Sequence, residues 1–237
     1  MTIRKNDRLL WALSGVFLAL EGLIAVQLFA GHPKDYARLQ FSSIVLAFFF
    51  CFVFFDSPKS YIFTQLGLFF TLISDYFLIL DNAEKKTLAM LFFSCAQIFY
   101  FLRIYFEDGC CNRKKLHFIL RIYLSLCAML LTVAVLGAKC DALATISIFY
   151  FTNLLLNVVF SYLNFKKSPI LAVGLSLFLL CDITVGISAL SMYFPTDESS
   201  LIFKLINPGF DLTWAFYLPS QALIAISLLP KPQKNLR

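Results

Sequence analysis

Eight apolar runs, each long enough to cross the roughly 30 Å of hydrocarbon in a bilayer, occupy most of this chain. They lie at about Leu9 to Ala30, Leu39 to Phe55, Tyr61 to Leu80, Thr87 to Phe106, Leu116 to Leu136, Ala142 to Phe165, Pro169 to Phe194 and Asn207 to Leu229. In lipid every backbone N–H and C=O must find its partner inside the protein, so runs of this length fold as helices. Composition agrees: 60% of residues are apolar and 14% charged, with a mean hydropathy of +0.80, far from an ordinary soluble domain. The expected fold is an all-α membrane protein, a bundle of eight transmembrane helices. No connection is long enough to fold separately, so residues 1–237 read as a single integral membrane domain and any chemistry falls to the helices. The first run follows Arg4, Lys5 and Arg8 but is too long for a signal-peptide core, which makes it a retained helix.

Orientation follows from the basic residues between helices. With the N-terminus inside, the inner segments carry Arg4, Lys5, Arg8, Lys59, Arg113, Lys114, Lys115, Lys166, Lys167, Lys231, Lys234 and Arg237. The outer segments carry Lys34, Arg38, Lys85, Lys86, Lys139 and Lys204, while Arg103 and Arg121 read as flanks of the inner loop at 107–115. This asymmetry predicts both termini inside. The net charge of +6 then faces anionic inner-leaflet lipid and requires no nucleic-acid partner. Compactness points to a bacterial plasma membrane, although an endoplasmic reticulum would suit the same topology.

Of the seven cysteines, Cys51, Cys95, Cys127 and Cys181 fall within the apolar runs, which predicts free thiols rather than a disulfide framework. Cys110 and Cys111, beside Arg113, Lys114 and Lys115, read as an ordinary reduced loop pair, with palmitoylation the alternative. Together with His117 they do not make a four-ligand zinc site.

Two aspartates break the apolar pattern. Asp75 closes LGLFFTLISD and Asp182 closes VGLSLFLLCD, each eight residues after a glycine, and the intervals Gly67 to Gly174 and Asp75 to Asp182 are both 107 residues. A carboxyl near the bilayer centre costs about 2.5–3.5 kcal/mol on insertion scales, so intramembrane acids usually work or pair. Each lies 13 or 14 residues into its run, about 20 Å along a helix rising 1.5 Å per residue. The predicted third and seventh helices run in the same direction, so the carboxyls are expected at one level. The shared spacing suggests a four-plus-four arrangement of parallel repeats. In the bland alternative each aspartate is protonated and only ties two helices together. Two nearby carboxyls in a low dielectric are otherwise expected to share one proton, the state that general acid–base chemistry needs.

Other polar groups fall at similar depths: Glu21, Gln97, Asn153, Asn157, Tyr217 and Gln221. Each has a structural reading. The two asparagines, one turn apart, suit interhelical hydrogen bonding, and Glu21 suits pairing with a neighbouring amide. Pro219 is expected to kink the last helix and free a carbonyl near Gln221. The only histidines, His32 and His117, read as close to loops, and no G-x-S-x-G elbow is present. An intramembrane Ser-His-Asp triad or three-histidine zinc site is therefore excluded. An enzyme built from this inventory draws acid and base from carboxyls; the competing class is a proton-coupled carrier.

Three segments carry a family resemblance: LGLFFTLISDYFLIL around Asp75, GLSLFLLCDITVGISAL around Asp182, and WAFYLPSQALIAISLL around Tyr217 and Gln221. In this order and spacing the chain resembles the lysoplasmalogenase family of YhhN type, whose members hydrolyse the vinyl ether bond of lysoplasmalogens. Cys181 stands where the family usually has Ser, Ser74 where Gly is common, and Gln97 where many members have His, while Tyr100 agrees. The resemblance implies a lysophospholipid substrate and no metal or organic cofactor. It implies Asp75 and Asp182 as the catalytic pair, one the general acid and the other the stabilising, water-orienting base. Gln97, Tyr100, Tyr217 and Gln221 would position water or substrate, with Glu21 and Asn153 as further candidates. A carrier of a small solute and a non-catalytic lipid-binding relative are the alternatives.

Overall fold

The computed structural model describes residues 5–31, 35–54, 60–81, 85–190 and 211–229. Among these the chain forms eight α-helices and no strand. They are α1 (Lys5–Ala30), α2 (Tyr36–Phe50, extended by a 3₁₀ turn over Cys51–Phe54), α3 (Tyr61–Asp75, extended by a π turn over Tyr76–Leu80) and α4 (Lys86–Glu107). Then follow α5 (Cys111–Leu136), α6 (Ala142–Leu163), α7 (Pro169–Leu190) and α8 (Leu212–Ile226). The first seven are long and apolar enough to cross a membrane, whereas α8 is shorter, with 15 described residues. The expected start of the last run, 207–210, and end of the seventh, 191–194, lie outside the described residues. So do His32 and, among the basic residues that set the orientation, Arg4, Lys34, Lys59, Lys204, Lys231, Lys234 and Arg237.

Several helix ends are legible in the sequence. Asp141 caps α6 by accepting the Ala144 N–H at 2.7 Å, and Asp211 caps α8 by accepting the Trp214 N–H at 3.1 Å. Gly137, at φ 53°, ends α5 in a backbone conformation that side chains disfavour. Between α4 and α5, Asp108 accepts the Cys110 N–H at 2.9 Å and lies 3.4 Å from Arg113. Burial works against charge on Asp108, but the Cys110 N–H, the Asn164 side chain, Arg113 and Lys167 outweigh it and hold the carboxyl below its usual range.

Packing sorts the helices into a ring and its flanks. Within the ring the most extensive interfaces are α7 with α8, α3 with α4 and α4 with α6; α6 with α7 is smaller, and a slight α8–α3 contact closes the circle. On one flank α1 packs mainly on α2, and on the other α5 packs mainly on α6. The outward faces are apolar, as lipid requires: Leu130 and Leu131 on α5 are 70% and 64% exposed. All seven cysteines are free thiols.

The two repeated glycines serve the two tightest interfaces. A Cβ at Gly67 would lie 2.4 Å from the Tyr100 ring, and one at Gly174 would meet the Ile224 N and Ser220 O of α8 at 3.1 and 3.2 Å. Gly67 thus admits α4 and Gly174 admits α8. Gly67→Ala is expected to destabilise the protein by about 1–3 kcal/mol through overpacking against the buried tyrosine. Gly22, with nothing within 4 Å of its would-be Cβ, should accept alanine with unchanged or slightly raised stability, since helical glycine costs up to about 1 kcal/mol. Thermal unfolding of the two variants side by side checks the contrast.

Candidate active site

Asp75 is the last α-helical residue of α3. The next turn is π-helical, closed by the Asp81 N–H reaching Tyr76 O at 3.1 Å, five residues back. A π turn inserts one extra residue and so shifts the phase of the helix at this point, a device that recurs at functional sites. Asp75 itself is buried, 3% exposed, and its Oδ2 accepts the Tyr217 hydroxyl of α8 at 2.5 Å. On α7, the half-buried Asp182 accepts the Tyr150 hydroxyl of α6 through its own Oδ2. The two arrangements are alike: an intramembrane carboxyl held by a tyrosine from a neighbouring helix.

Phe178, fully buried and one turn before Asp182, joins them. Its ring centroid lies 5.4 Å from that of Tyr217 and 6.4 Å from that of Tyr150. Phe93 of α4 completes the cluster, 5.5 Å from Tyr150 and 5.9 Å from Phe178. Asp75 lies within electrostatic reach of Asp182, and Tyr150 and Cys181 each lie within reach of both. All five ring helices therefore contribute to one apolar-walled centre containing two carboxyls.

One turn further along α4 and α8 from these rings lie two amides, both fully buried. The Gln97 backbone and side-chain oxygens accept from Asn157 Nδ2 at 2.9 and 3.0 Å, which leaves Nε2 without a partner. Gln221 Nε2 bonds Ser220 Oγ at 3.3 Å, which leaves Oε1 without one. An unpaired donor and an unpaired acceptor, both buried, are what a water or polar substrate atom would satisfy. Tyr100 packs over Gly67, its hydroxyl 3.5 Å from Thr71 Oγ1, and Thr71 sits one turn before Asp75.

The remaining residues singled out in the sequence go elsewhere. Glu21 accepts from the Ser43 hydroxyl of α2 at 2.6 Å, not from an amide, and its Oε1 is buried without a partner. Asn153 and Asn157 do bridge helices: both accept from Arg121 of α5, and Asn157 also donates to Gln97 of α4. Arg103 and Arg121, placed beside the loop by sequence position, are instead 0% and 8% exposed, and His117 is 2% exposed against the ring of Phe160. The membrane solvates cations poorly, so both arginines turn inward to hydroxyls, carbonyls and amides. Tyr150 was missed. Its signal was periodicity: Tyr150, Asn153 and Asn157 fall at i, i+3 and i+7, one face of α6.

A ring of apolar helices with a tyrosine-held carboxyl pair at its centre defines a multi-pass integral membrane protein whose polar core is built by its spans. The YhhN family profile matches residues 37–228, a stretch that includes all five ring helices. The chain belongs to the YhhN family, the lysoplasmalogenase type. No curated protein and no solved structure showed significant similarity to the chain.

Proposed function

We propose that this protein is an intramembrane hydrolase that cleaves the vinyl ether bond of lysoplasmalogens, releasing a fatty aldehyde and a glycerophospho-base. The observation that carries the reading is the pair of carboxyls, each held by a tyrosine hydroxyl and joined through Phe178. Vinyl ether hydrolysis needs an acid strong enough to protonate carbon and a negative charge beside the cation that results. Burial disfavours charge, so the more buried Asp75 suits the general acid and the half-buried Asp182 the anionic partner.

The steps balance. Asp75 delivers its proton to the alkene carbon distant from oxygen; the π pair forms the new C–H bond and leaves an oxocarbenium ion, stabilised by the Asp182 carboxylate. Asp182 takes a proton from water as the water oxygen attacks the carbon bearing the ether oxygen, giving a hemiacetal. The hemiacetal hydroxyl then returns a proton to Asp75 while the glyceryl oxygen leaves with the proton held by Asp182. Both carboxyls end as they began. The free Nε2 of Gln97 and Oε1 of Gln221 suit the water, and Tyr217 and Tyr150 orient the carboxyls. The alkenyl chain can stay among the apolar helices throughout. A bacterial plasma membrane is the proposed setting.

Purified protein given a lysoplasmalogen, with a saturated ether lysolipid as the unreactive control, tests the reading by aldehyde release. Aldehyde from the vinyl ether alone supports it. None from any headgroup class would sink it, and pH-gradient-driven uptake in vesicles would then indicate the carrier alternative. Tyr150→Phe and Tyr217→Phe are each expected to lower the aldehyde release rate roughly tenfold to hundredfold, the effect of losing one hydrogen bond to a charged group, about 1.5–3 kcal/mol. Steady-state rates of the two variants check this.

A further inference from the structure

Arg121 is a cation inside α5, ten residues from the helix start, so about 15 Å along it. It is nine-tenths buried. Its Nη1 donates to Asn153 Oδ1, and its Nη2 donates to Asn157 Oδ1 at 2.6 Å and to His117 Nε2 at 3.0 Å. A guanidinium has no acceptor, so the imidazole accepts at Nε2 and carries its proton on Nδ1. The guanidinium also lies 4.3 Å over the Phe101 ring, and His117 is wedged between Phe101 and Phe160. Every one of these partners is neutral. Among the described residues no carboxylate lies within ion-pair distance of Arg121.

This separates Arg121 from the other buried arginine. Arg103 has Glu107 at 3.2 Å and three further acceptors, whereas only neutral groups face Arg121. Nε–H has no acceptor at all. An uncompensated buried cation is costly, and rigidly propped guanidinium forks are the usual means of recognising phosphate. Place matters as much as charge. Asn153, which holds Nη1, lies three residues along α6 from Tyr150, the residue bonded to Asp182. That is a rise of about 4.5 Å between the two α6 positions, so adjacent turns of α6 hold the cation and the carboxyl.

We propose that Arg121, held by Asn153, Asn157 and His117, recognises the phosphate of the lysolipid headgroup while the ether bond lies at the aspartates. The proposal rests on the reading of the aspartates as the ether site, but its test does not rest on turnover. Two unreactive probes with the same saturated alkyl ether chain are compared in equilibrium binding to the full-length protein. One is a 1-O-alkyl-glycero-3-phospho-base and the other the 1-O-alkylglycerol without phosphate. Wild type should bind the phosphate-bearing probe at least tenfold more tightly. Arg121→Gln should bring the two affinities together by weakening only the first, and Asp75→Asn should keep the preference.

Equal affinities in wild type would overturn the proposal without any variant, so a poorly folding R121Q does not shelter it. A preference that survives R121Q undiminished would also overturn it. So would inorganic phosphate binding as tightly as the lysolipid, which would make the site one for the free anion. A preference lost in R121Q, in a protein that releases no aldehyde from any vinyl ether, would uphold the phosphate site while removing the hydrolase reading.

Discussion

Asp75→Asn and Asp182→Asn are each expected to reduce aldehyde release by about 10²–10⁴-fold, the usual loss when a positioned acid or base is removed. Asparagine keeps the shape and can still accept the tyrosine hydroxyl, so Tyr217 and Tyr150 retain partners and the bundle should stay folded. The effects should not add. If the two carboxyls pass one proton between acid and base roles, losing either breaks the cycle, and the double variant should be little slower than the worse single one. Rates for the three variants, with thermal unfolding alongside, check both statements. Full independence, with the losses multiplying, would argue against a coupled pair.

Removal of Arg103 should have the largest effect on stability. Its side chain is fully buried and donates to Thr64 Oγ1 at 2.6 Å, Ser227 Oγ at 2.8 Å, Ser227 O at 2.9 Å and Glu107 at 3.2 Å. It ties α3, α4 and the end of α8 into one node, and its guanidinium lies 4.9 Å over the Tyr61 ring. Glu107 carries the node onward to Ser168 at 2.8 Å, before α7. Arg103→Met would leave Glu107 without its cation and several acceptors without donors. The expected cost is about 3–5 kcal/mol, the range for breaking a buried ion pair, read as a large fall in the thermal midpoint. Arg103→Lys should fall between, because an ammonium keeps the charge but cannot reach the same set of acceptors as a planar fork.

The helices were legible because lipid imposes a strong rule: apolar length alone marks a span. Asp75 and Asp182 were legible for the same reason, as charges where charge is expensive. The equal 107-residue spacing of Gly67 and Gly174 also has a physical meaning in the packing, since each glycine admits the helix that follows its own in the ring. What stayed hidden were side chains whose direction depends on tertiary contacts. Arg121 and His117 lie near a basic loop in the sequence, and only the packing of α5 on α6 turns them toward Asn153 and Asn157. Tyr150 was concealed by being one aromatic among many in an aromatic-rich chain. The Tyr150, Asn153, Asn157 stripe would have exposed it, because polar atoms sharing one helix face in lipid have to meet something.

The measurement that bears most directly on the central claim is aldehyde release from a lysoplasmalogen by the purified protein in D₂O, with the product analysed by mass spectrometry. Protonation of the alkene carbon by an exchangeable carboxyl predicts an aldehyde carrying one deuterium on the carbon next to its carbonyl, formed by wild type and lost in the Asp75 and Asp182 variants. Aldehyde without that deuterium, or no aldehyde from well-folded wild type, would contradict the account.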